Sequence, residues 1–396
     1  MEFIKLLLLS TIASIIPGQI IRFNFGQEGA LTITDILTVT TGILFILHTL
    51  LIKKSIKIPP KIFFPAVLFI ATAAASLYLS LNSFKIKEIV ASSLFLVRFF
   101  FYFFITIVVY NTVKKQQITS WINSFLLIGL IFTVIGFAQF IIFPDLSSLM
   151  AYGWDPHQKR IVASLLDPNF SGFIFAALAA FSTSLYLYKK NKIYLFQSIL
   201  FYAALILTFS RSAYLAAIAM ILTIGILKSP KLALSAALVF LISASALPQM
   251  RSRITGALTL DETAQARFIS WQNALTIFTA NPIFGIGFNT YRYAQREYGF
   301  FPPGELGGHS GSGTDSSILL VMTTTGLVGV GLFIFLLGAI ANSFAKGAKS
   351  NYLLLASLTF LIGLLIHSQF VNSFFFPQIA LILWFILGIN LTLDDL

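Results

Sequence analysis

Long apolar stretches separated by short polar connections run through this chain from end to end. Taking about 17–25 residues as the length of a membrane-crossing helix gives about twelve candidate spans. They lie near residues 3–21, 33–51, 62–82, 89–113, 119–142, 170–188, 193–209, 212–227, 231–247, 316–343, 351–368 and 372–393. Only 10% of the residues are charged, against about 25% in a soluble domain, so the composition excludes an ordinary soluble enzyme. The pattern predicts an all-α integral membrane protein in which residues 1–396 form a single polytopic domain.

The first apolar stretch differs from the others because Pro17-Gly18 interrupts it. This dipeptide predicts either a broken helix or two half-segments at that point. The stretch has no small-residue cleavage site after its apolar core, so we expect a retained span rather than a signal peptide.

The lysines indicate which loops face the cytoplasm. With a cytoplasmic N-terminus, every even-numbered loop carries lysine and no acidic residue, as the positive-inside rule requires. The lysines in these loops are Lys53, Lys54, Lys57, Lys61, Lys114, Lys115, Lys189, Lys190, Lys192, Lys228, Lys231, Lys346 and Lys349. The net charge of +12 is therefore mainly a topology signal. We expect both termini in the cytoplasm and no nucleic-acid partner.

The arginines are distributed differently from the lysines. Arg98 falls inside a predicted span, where a charge is a functional hypothesis by default. The others are predicted on the extracytoplasmic side: Arg22, Arg160, Arg211, Arg251, Arg253, Arg267, Arg292 and Arg296. Guanidinium groups are suited to bidentate binding of phosphate oxygens, so for the cluster we favour an anionic ligand. For any single arginine, a headgroup or a loop carboxylate such as Asp261 or Glu262 is the simpler partner.

Two extracytoplasmic loops are long enough to carry a functional site. They cover about residues 143–169 and 248–315, and the longer one directly precedes span ten. Within it, residues 263–280 have apolar side chains at helical spacing. We expect an amphipathic helix along the membrane surface, with Phe268 and Trp271 on its apolar side.

Three motifs follow one another in the second half of the chain. They are FSRSAYL at 209–215, Arg267…Trp271…Ala274 with NPIFGIG at 281–287, and DS at 315–316 with GLVG at 326–329. In this order, around one large loop, they resemble the O-antigen ligase and polymerase superfamily. The resemblance covers about residues 170–345.

The resemblance implies a membrane glycosyltransferase of the C type that needs neither a metal nor another cofactor. Such an enzyme moves a glycan from a polyprenyl-diphosphate-linked donor to an acceptor hydroxyl, on the extracytoplasmic face of the bacterial inner membrane. The acceptor is a lipid-core sugar for a ligase and another repeat unit for a polymerase. The diphosphate-binding arginines of the family fall on Arg211 and Arg267. Cations placed there would stabilise the charge that grows on the departing diphosphate.

The catalytic base has two candidates because the third motif departs from the ligase pattern. Ligases carry His-Asn at this place, whereas this chain has Asp315-Ser316. Asp315, at the start of a span, and His309, in the glycine-rich segment before it, can each be assigned the role of base. The simpler alternatives are a helix N-cap for Asp315 and an exposed loop histidine for His309. An acidic residue here fits a polymerase better than a ligase.

Three further residues are candidates for substrate binding: Arg160, Arg292 and Asp167. Asp167-Pro168-Asn169 opens the sixth span, where it either shapes the donor site or caps the helix. The competing class of function is a transporter or flippase of the same lipid-linked saccharide. A transporter of this size should have similar halves and polar residues at the membrane midplane, and neither pattern is visible in the sequence.

Overall fold

The computed structural model describes residues 2–25, 29–52, 55–302, 305–307, 311 and 313–393. These residues are mainly helical, as the sequence predicts. The helices are α1 Glu2–Ala13, α2 Ile33–Leu51, α3 Pro60–Leu79, α4 Ile86–Thr112, α5 Ile118–Ile142, α6 Pro168–Lys189, α7 Lys192–Leu207, α8 Arg211–Leu227, α9 Pro230–Ala246, α10 Pro248–Leu258, α11 Glu262–Ala280, α12 Tyr291–Glu297, α13 Ser317–Ala345, α14 Tyr352–His367 and α15 Pro377–Leu391. Every predicted apolar stretch contains one of them.

Six of the described helices, α2 to α6 and α13, are long and apolar enough to cross a membrane. A seventh candidate arises if α9 and α10, which are bent by 95°, form one span. Four apolar helices are shorter, namely α7, α8, α14 and α15. A helix of 15 residues reaches only about 22 Å, less than the hydrocarbon core of about 30 Å. The chain is a multi-pass membrane protein, and the number of about twelve spans stays a prediction.

The first predicted span, 3–21, is helical only in its first part, because α1 ends at Ala13. The chain then turns, and Gln19 N–H donates to Ser164 O over 2.8 Å. Gly18 has a φ of +53°, and a Cβ there would lie 2.7 Å from Ser164 O. The helix therefore stops where the chain has to turn against the loop that precedes α6.

A small β-hairpin follows this turn and departs from the all-α prediction. Its antiparallel strands are β1 Arg22–Phe25 and β2 Gly29–Thr32, with Arg22 opposite Thr32. Arg98 anchors the hairpin to the bundle, since its Nη2 donates to Ala30 O over 2.6 Å and to Asp35 Oδ2 over 2.9 Å. This pairing gives Arg98 a structural role.

The centre of the bundle is formed by α6 and α15. Every residue of α6 from Ser171 to Leu185 is buried, and so is every residue of α15 from Pro377 to Asn390. Helix α9 lies at the edge, and none of its residues is buried. The N-terminus of α6 therefore opens near the middle of the bundle end where the predicted extracytoplasmic loops gather.

Helix α11 confirms the helix predicted at 263–280. Ala274 and Ile277 are buried in a cluster with residues of α12 and α13. Phe268 and Trp271 lie on one side of the helix, with ring centroids 5.5 Å apart, and Phe268 is 53% exposed. The smaller side chains therefore pack against the bundle, and the placement of the Phe268 side along the membrane surface stays a prediction.

Candidate active site

Four helices carry the sequence motifs or the residues that pair with them. In each of the four, a side chain caps the helix N-terminus. The caps are Asp167 for α6, Ser210 for α8, Asp261 for α11 and Ser316 for α13. The residues before these caps all have positive φ, namely Leu166 at 57°, Phe209 at 48°, Leu260 at 54° and Asp315 at 49°. This conformation is strained for residues other than glycine and is common at functional sites. Helix N-termini also present N–H groups and partial positive charge to an anion.

The N-termini of α6 and α8 are joined by side-chain hydrogen bonds. Ser210 Oγ donates to Asn169 Oδ1 over 2.6 Å, and Ser212 Oγ donates to the same oxygen over 3.3 Å. Asp167 acts as the N-cap of α6, because its carboxylate accepts from Asn169 N–H at 2.6 Å. Burial raises the pKa of Asp167, although these N–H groups oppose the shift. The capping alternative for Asp167 is therefore the one that the contacts support.

Arg160 holds the turn that leads into the first motif. Its Nε donates to Thr208 O over 2.8 Å and its Nη2 to Phe209 O over 3.1 Å. The side chain is buried, and burial, together with the nearby charge of Arg253, lowers the pKa of Arg160 to about 9. We infer that Arg160 positions the Phe209-Ser210 turn, and substrate binding by Arg160 stays a prediction.

Arg211, the arginine of the first motif, forms a bidentate ion pair with Asp261. Nη1 lies 3.0 Å from Oδ2 and Nη2 lies 3.0 Å from Oδ1. Although burial raises it, the pKa of Asp261 is held below its ordinary value by Arg211 and by the N–H of Ala264. The simpler partner considered for a single arginine, a loop carboxylate, is therefore present for Arg211 in this state. Both donors of the fork are therefore occupied by the Asp261 carboxylate.

Arg267 lies within electrostatic range of both Arg211 and Asp315. Burial lowers the pKa of Arg267, and the negative charge of Asp315 opposes that shift. Unlike Arg211, Arg267 makes no hydrogen bond or ion pair to another residue of the described ranges. Its guanidinium is therefore available to a ligand, next to a second arginine and a carboxylate.

Asp315 is not the N-cap of α13, because Ser316 holds that position and accepts from Leu319 N–H at 3.3 Å. The backbone of Asp315 is held from another helix, since Trp271 Nε1 donates to Asp315 O over 3.4 Å. Burial raises the pKa of the Asp315 carboxyl, and Arg267 works against that rise. A carboxyl with a raised pKa beside an arginine is suited to take a proton from a substrate hydroxyl.

The other predicted residues fall elsewhere. His309 lies outside the described residues, so its assignment stays a prediction. Arg292 has a buried side chain in α12, a helix that packs against α11 and α13 through Tyr291 and Ala294. Its role in binding substrate also stays a prediction. Among the described residues, no three His, Asp or Glu side chains are grouped as metal ligands would be.

The second and third motifs are joined at a break in α13. Gly326 has non-helical angles (φ 67°, ψ −167°), so the helix is interrupted there. The 281–287 segment pairs with both sides of the break through four backbone hydrogen bonds. These are Ile286 N–H to Thr323 O, Gly287 N–H to Thr324 O, Leu327 N–H to Pro282 O and Val328 N–H to Ile283 O. The pairing fixes the end of α11 against α13.

Two glycines make this junction sterically feasible. A Cβ at Gly326 would lie 2.2 Å from Ile283 O, and a Cβ at Gly285 would lie 2.4 Å from the carbonyl carbon of Thr324. Ser76 of α3 binds the junction from the side, with its Oγ 2.7 Å from both Phe284 O and Thr324 O. Gly285 and Gly326 are therefore explained by close backbone approach.

Several charged or polar neighbours of these residues had no role of their own in the sequence analysis. Arg253 of α10, which was named only as part of the arginine cluster, is close enough to Arg211 to help burial lower the pKa of Arg253. Burial, with Arg160 and Arg253 nearby, lowers the pKa of His157 to about 4. His367, at the end of α14, is fully buried, with Nδ1 2.6 Å from Ser373 Oγ. No spacing in the sequence indicated either histidine.

The three sequence motifs lie in one continuous part of the chain that also matches a known family. Residues 196–334 match the O-antigen ligase family. The O-antigen ligase match runs from within α7 to within α13, so it includes Arg211, Arg267 and Asp315. It confirms the resemblance over these residues and connects the chain with glycan transfer of the ligase or polymerase type. No curated protein sequence matches the chain.

Proposed function

We propose that this chain is a metal-independent membrane glycosyltransferase. It transfers a glycan from a polyprenyl-diphosphate-linked donor to an acceptor hydroxyl on the extracytoplasmic face of the bacterial inner membrane, with both of its termini in the cytoplasm. The observation that carries the proposal is the grouping of Arg211, Arg267 and Asp315 around neighbouring helix N-termini. The O-antigen ligase match over residues 196–334 supports the same class of reaction.

In this proposal Arg211 and Arg267 bind the diphosphate of the donor. The bond between the anomeric carbon and the diphosphate oxygen breaks, and the bonding electron pair stays with the departing polyprenyl diphosphate. Two guanidinium groups already fixed at that place stabilise the growing charge more than they stabilise the bound donor. The helix N-termini add fixed partial positive charge in the same direction. Removing one such donor typically lowers the rate by about 10²–10³-fold.

Asp315 is the proposed base. As the acceptor oxygen bonds to the anomeric carbon, Asp315 takes the proton of the acceptor hydroxyl. A carboxyl with a raised pKa is a stronger base than an exposed aspartate, and Arg267 favours the ionised form that can accept the proton. His309 is the second candidate, because it precedes Asp315 by six residues in the glycine-rich segment.

Two versions of the reaction differ in the acceptor of the glycan. We propose the ligase version, in which the glycan passes to a lipid-core sugar and membrane lipid surrounds both substrates. The alternative is a polymerase that joins lipid-linked repeat units. The observation that favours this alternative is Asp315 itself, which stands where ligases carry histidine.

The test uses purified protein in detergent with a polyprenyl-diphosphate-linked oligosaccharide, candidate acceptors and EDTA. Release of polyprenyl diphosphate and mass growth of the acceptor are measured for wild type, Arg211→Ala, Arg267→Ala and Asp315→Asn. Arg251→Ala is the matched control, because Arg251 is an exposed arginine of the same loop region. Each of the first three variants should lose at least about 10²-fold in rate, while the control stays near wild type.

The products distinguish the versions. Growth of a lipid-core acceptor indicates a ligase, and a ladder of donor-derived products indicates a polymerase. A normal rate in both Arg211→Ala and Arg267→Ala would contradict the diphosphate role. If wild type releases no diphosphate with any acceptor, the competing class of transporter or flippase becomes the better explanation.

A further inference from the structure

A large apolar cavity lies between α6, α7, α8 and α9. Its volume of about 500 Å³ is in the range of small-molecule binding pockets, about 300–1,000 Å³. Most of its walls are aliphatic or aromatic side chains. The aliphatic hydroxyls in the lining are Thr183, Ser198 and Ser235. Thr183 and Ser198 bond to each other, and Ser235 donates to Lys231 O, so these hydroxyls already have hydrogen-bond partners.

One end of the cavity is lined by Tyr214, which connects it with the arginines. Tyr214 lies three residues after Arg211 on α8, so both side chains project to the same face of the helix. The phenol hydroxyl donates to Ile206 O, another lining residue, and lies within electrostatic range of Arg160 and Arg253. Tyr214 therefore stands between the apolar space and a group of cationic side chains.

The outer wall of the cavity is α9, the helix without buried residues. Phe240 of α9 packs edge-on against Tyr214 with ring centroids 5.3 Å apart, close to the cationic end. Farther along the cavity the wall is thin, because small side chains such as Ala233 and Ala236 line it. An occupant is therefore enclosed near the charges and has space for a flexible apolar chain beyond them.

We infer that this cavity, the tail cavity, binds the isoprenoid chain of the donor next to its diphosphate. An apolar cavity of this size favours an apolar molecule over water, and the arginines at its end favour an anion. A polyprenyl diphosphate combines both properties, since its charge is attached directly to its chain. The inference rests on the proposed function, because that function supplies the donor.

Filling the cavity tests the inference. Ala236→Phe narrows it from α9 and Ala203→Phe narrows it from α7, so misfolding of one helix cannot account for both results. Ala237→Phe is the matched control, because Ala237 is exposed on the same helix and does not line the cavity. Transfer is measured with an undecaprenyl-linked donor and with a donor whose tail has two isoprene units. With the long donor, both cavity variants should raise KM at least tenfold and the control should change it less than twofold.

The donor with the short tail distinguishes binding of the tail from binding of the diphosphate. Its tail fills less of the cavity, so Ala236→Phe should raise its KM less than it raises the KM of the long donor. Unchanged KM for the long donor in both cavity variants, with Arg211→Ala still inactive, would overturn the tail cavity and leave the proposed function intact.

Photo-crosslinking tests occupancy without relying on turnover. Undecaprenyl diphosphate that carries a diazirine near its diphosphate should label peptides of α8 and α9, and unlabelled undecaprenyl diphosphate should compete. If labelling falls elsewhere, or if phosphatidylglycerol competes equally well, the cavity is not a site for the donor chain. A wild-type protein that is labelled as expected but transfers nothing would contradict the proposed function and support the tail cavity.

Discussion

The ion pair between Arg211 and Asp261 leads to the sharpest prediction. Both guanidinium donors that the proposal assigns to the diphosphate are occupied by the Asp261 carboxylate. A diphosphate can bind Arg211 only if it displaces this carboxylate. Asp261→Asn should therefore increase the affinity for diphosphate. Asparagine is as good an N-cap as aspartate, so α11 should keep its start in the variant.

The size of the effect follows from the exposure of the pair. Two unit charges about 4 Å apart interact by about 4 kcal/mol at the effective dielectric constant of a protein surface, whereas exposed pairs contribute about 0.2–1 kcal/mol. The side chains of Arg211 and Asp261 are 13% and 30% exposed, which is between these limits. We expect a gain of about 1–2 kcal/mol in binding, or about five- to thirty-fold in affinity.

The assay is the Kd of undecaprenyl diphosphate for purified protein in detergent, measured by thermophoresis at fixed ionic strength. Glu262→Gln is the matched control, because it removes one negative charge from the next residue, which is exposed. Its Kd should change less than twofold. An equal gain in both variants would mean that overall charge, not the Arg211 fork, sets affinity. A weaker affinity in Asp261→Asn would mean that Asp261 positions Arg211 for binding.

Three further predictions concern the other residues of the site. Arg211→Lys should transfer glycan faster than Arg211→Ala but about tenfold more slowly than wild type, because lysine keeps the charge and loses the bidentate fork. The rate of diphosphate release is measured for all three proteins. The kcat of wild type should fall on acidification, because the base must be ionised. The midpoint should lie above about 3.9, the ordinary pKa of aspartate, because burial raises the pKa of Asp315. A midpoint at or below that value in the pH profile would contradict the assignment of Asp315 as the base. Gly326→Ala should destabilise the protein by about 1–3 kcal/mol or more, since its Cβ would meet Ile283 O. Gly331→Ala is the control, because a Cβ at Gly331 of the same helix meets no atom within 4 Å. Thermal unfolding in detergent should show a lower unfolding temperature for Gly326→Ala than for Gly331→Ala.

The helices could be predicted from the sequence because their signal is local. Each apolar stretch contains a helix, and the amphipathic pattern at 263–280 gave the bounds of α11 closely. The sequence is less informative where a distant segment decides the conformation. The break in the first stretch was predicted at Pro17-Gly18, but the helix ends earlier, at Ala13, because the following turn binds the backbone of Ser164. The face of α11 that packs against the bundle, through Ala274 and Ile277, is likewise decided by α12 and α13.

The candidate site was predictable as a set of residues but only partly as a set of partners. Its arginines were visible because they occur in motifs and on the face where topology disfavours positive charge. Asp261 was considered as a partner for an arginine, but no spacing rule assigns it to Arg211, which lies 50 residues earlier in the chain. The interruption of α13 at Gly326 was equally hidden, because its reason is the backbone of Ile283 in another motif.

One continuous segment connects the two proposals. Helix α9 forms the thin wall of the tail cavity, α10 carries Arg253, and Asp261 begins the helix that presents Arg267. The apolar chain, the competing carboxylate and the second arginine of the donor site are therefore all linked within residues 230–280. Helices α9 and α10 meet at a 95° bend, and coupling between tail binding and Asp261 across this bend can be tested. Cavity-filling variants of α9 that also change the effect of Asp261→Asn on affinity would demonstrate this coupling, whereas additive effects would mean that the tail and the diphosphate are bound independently.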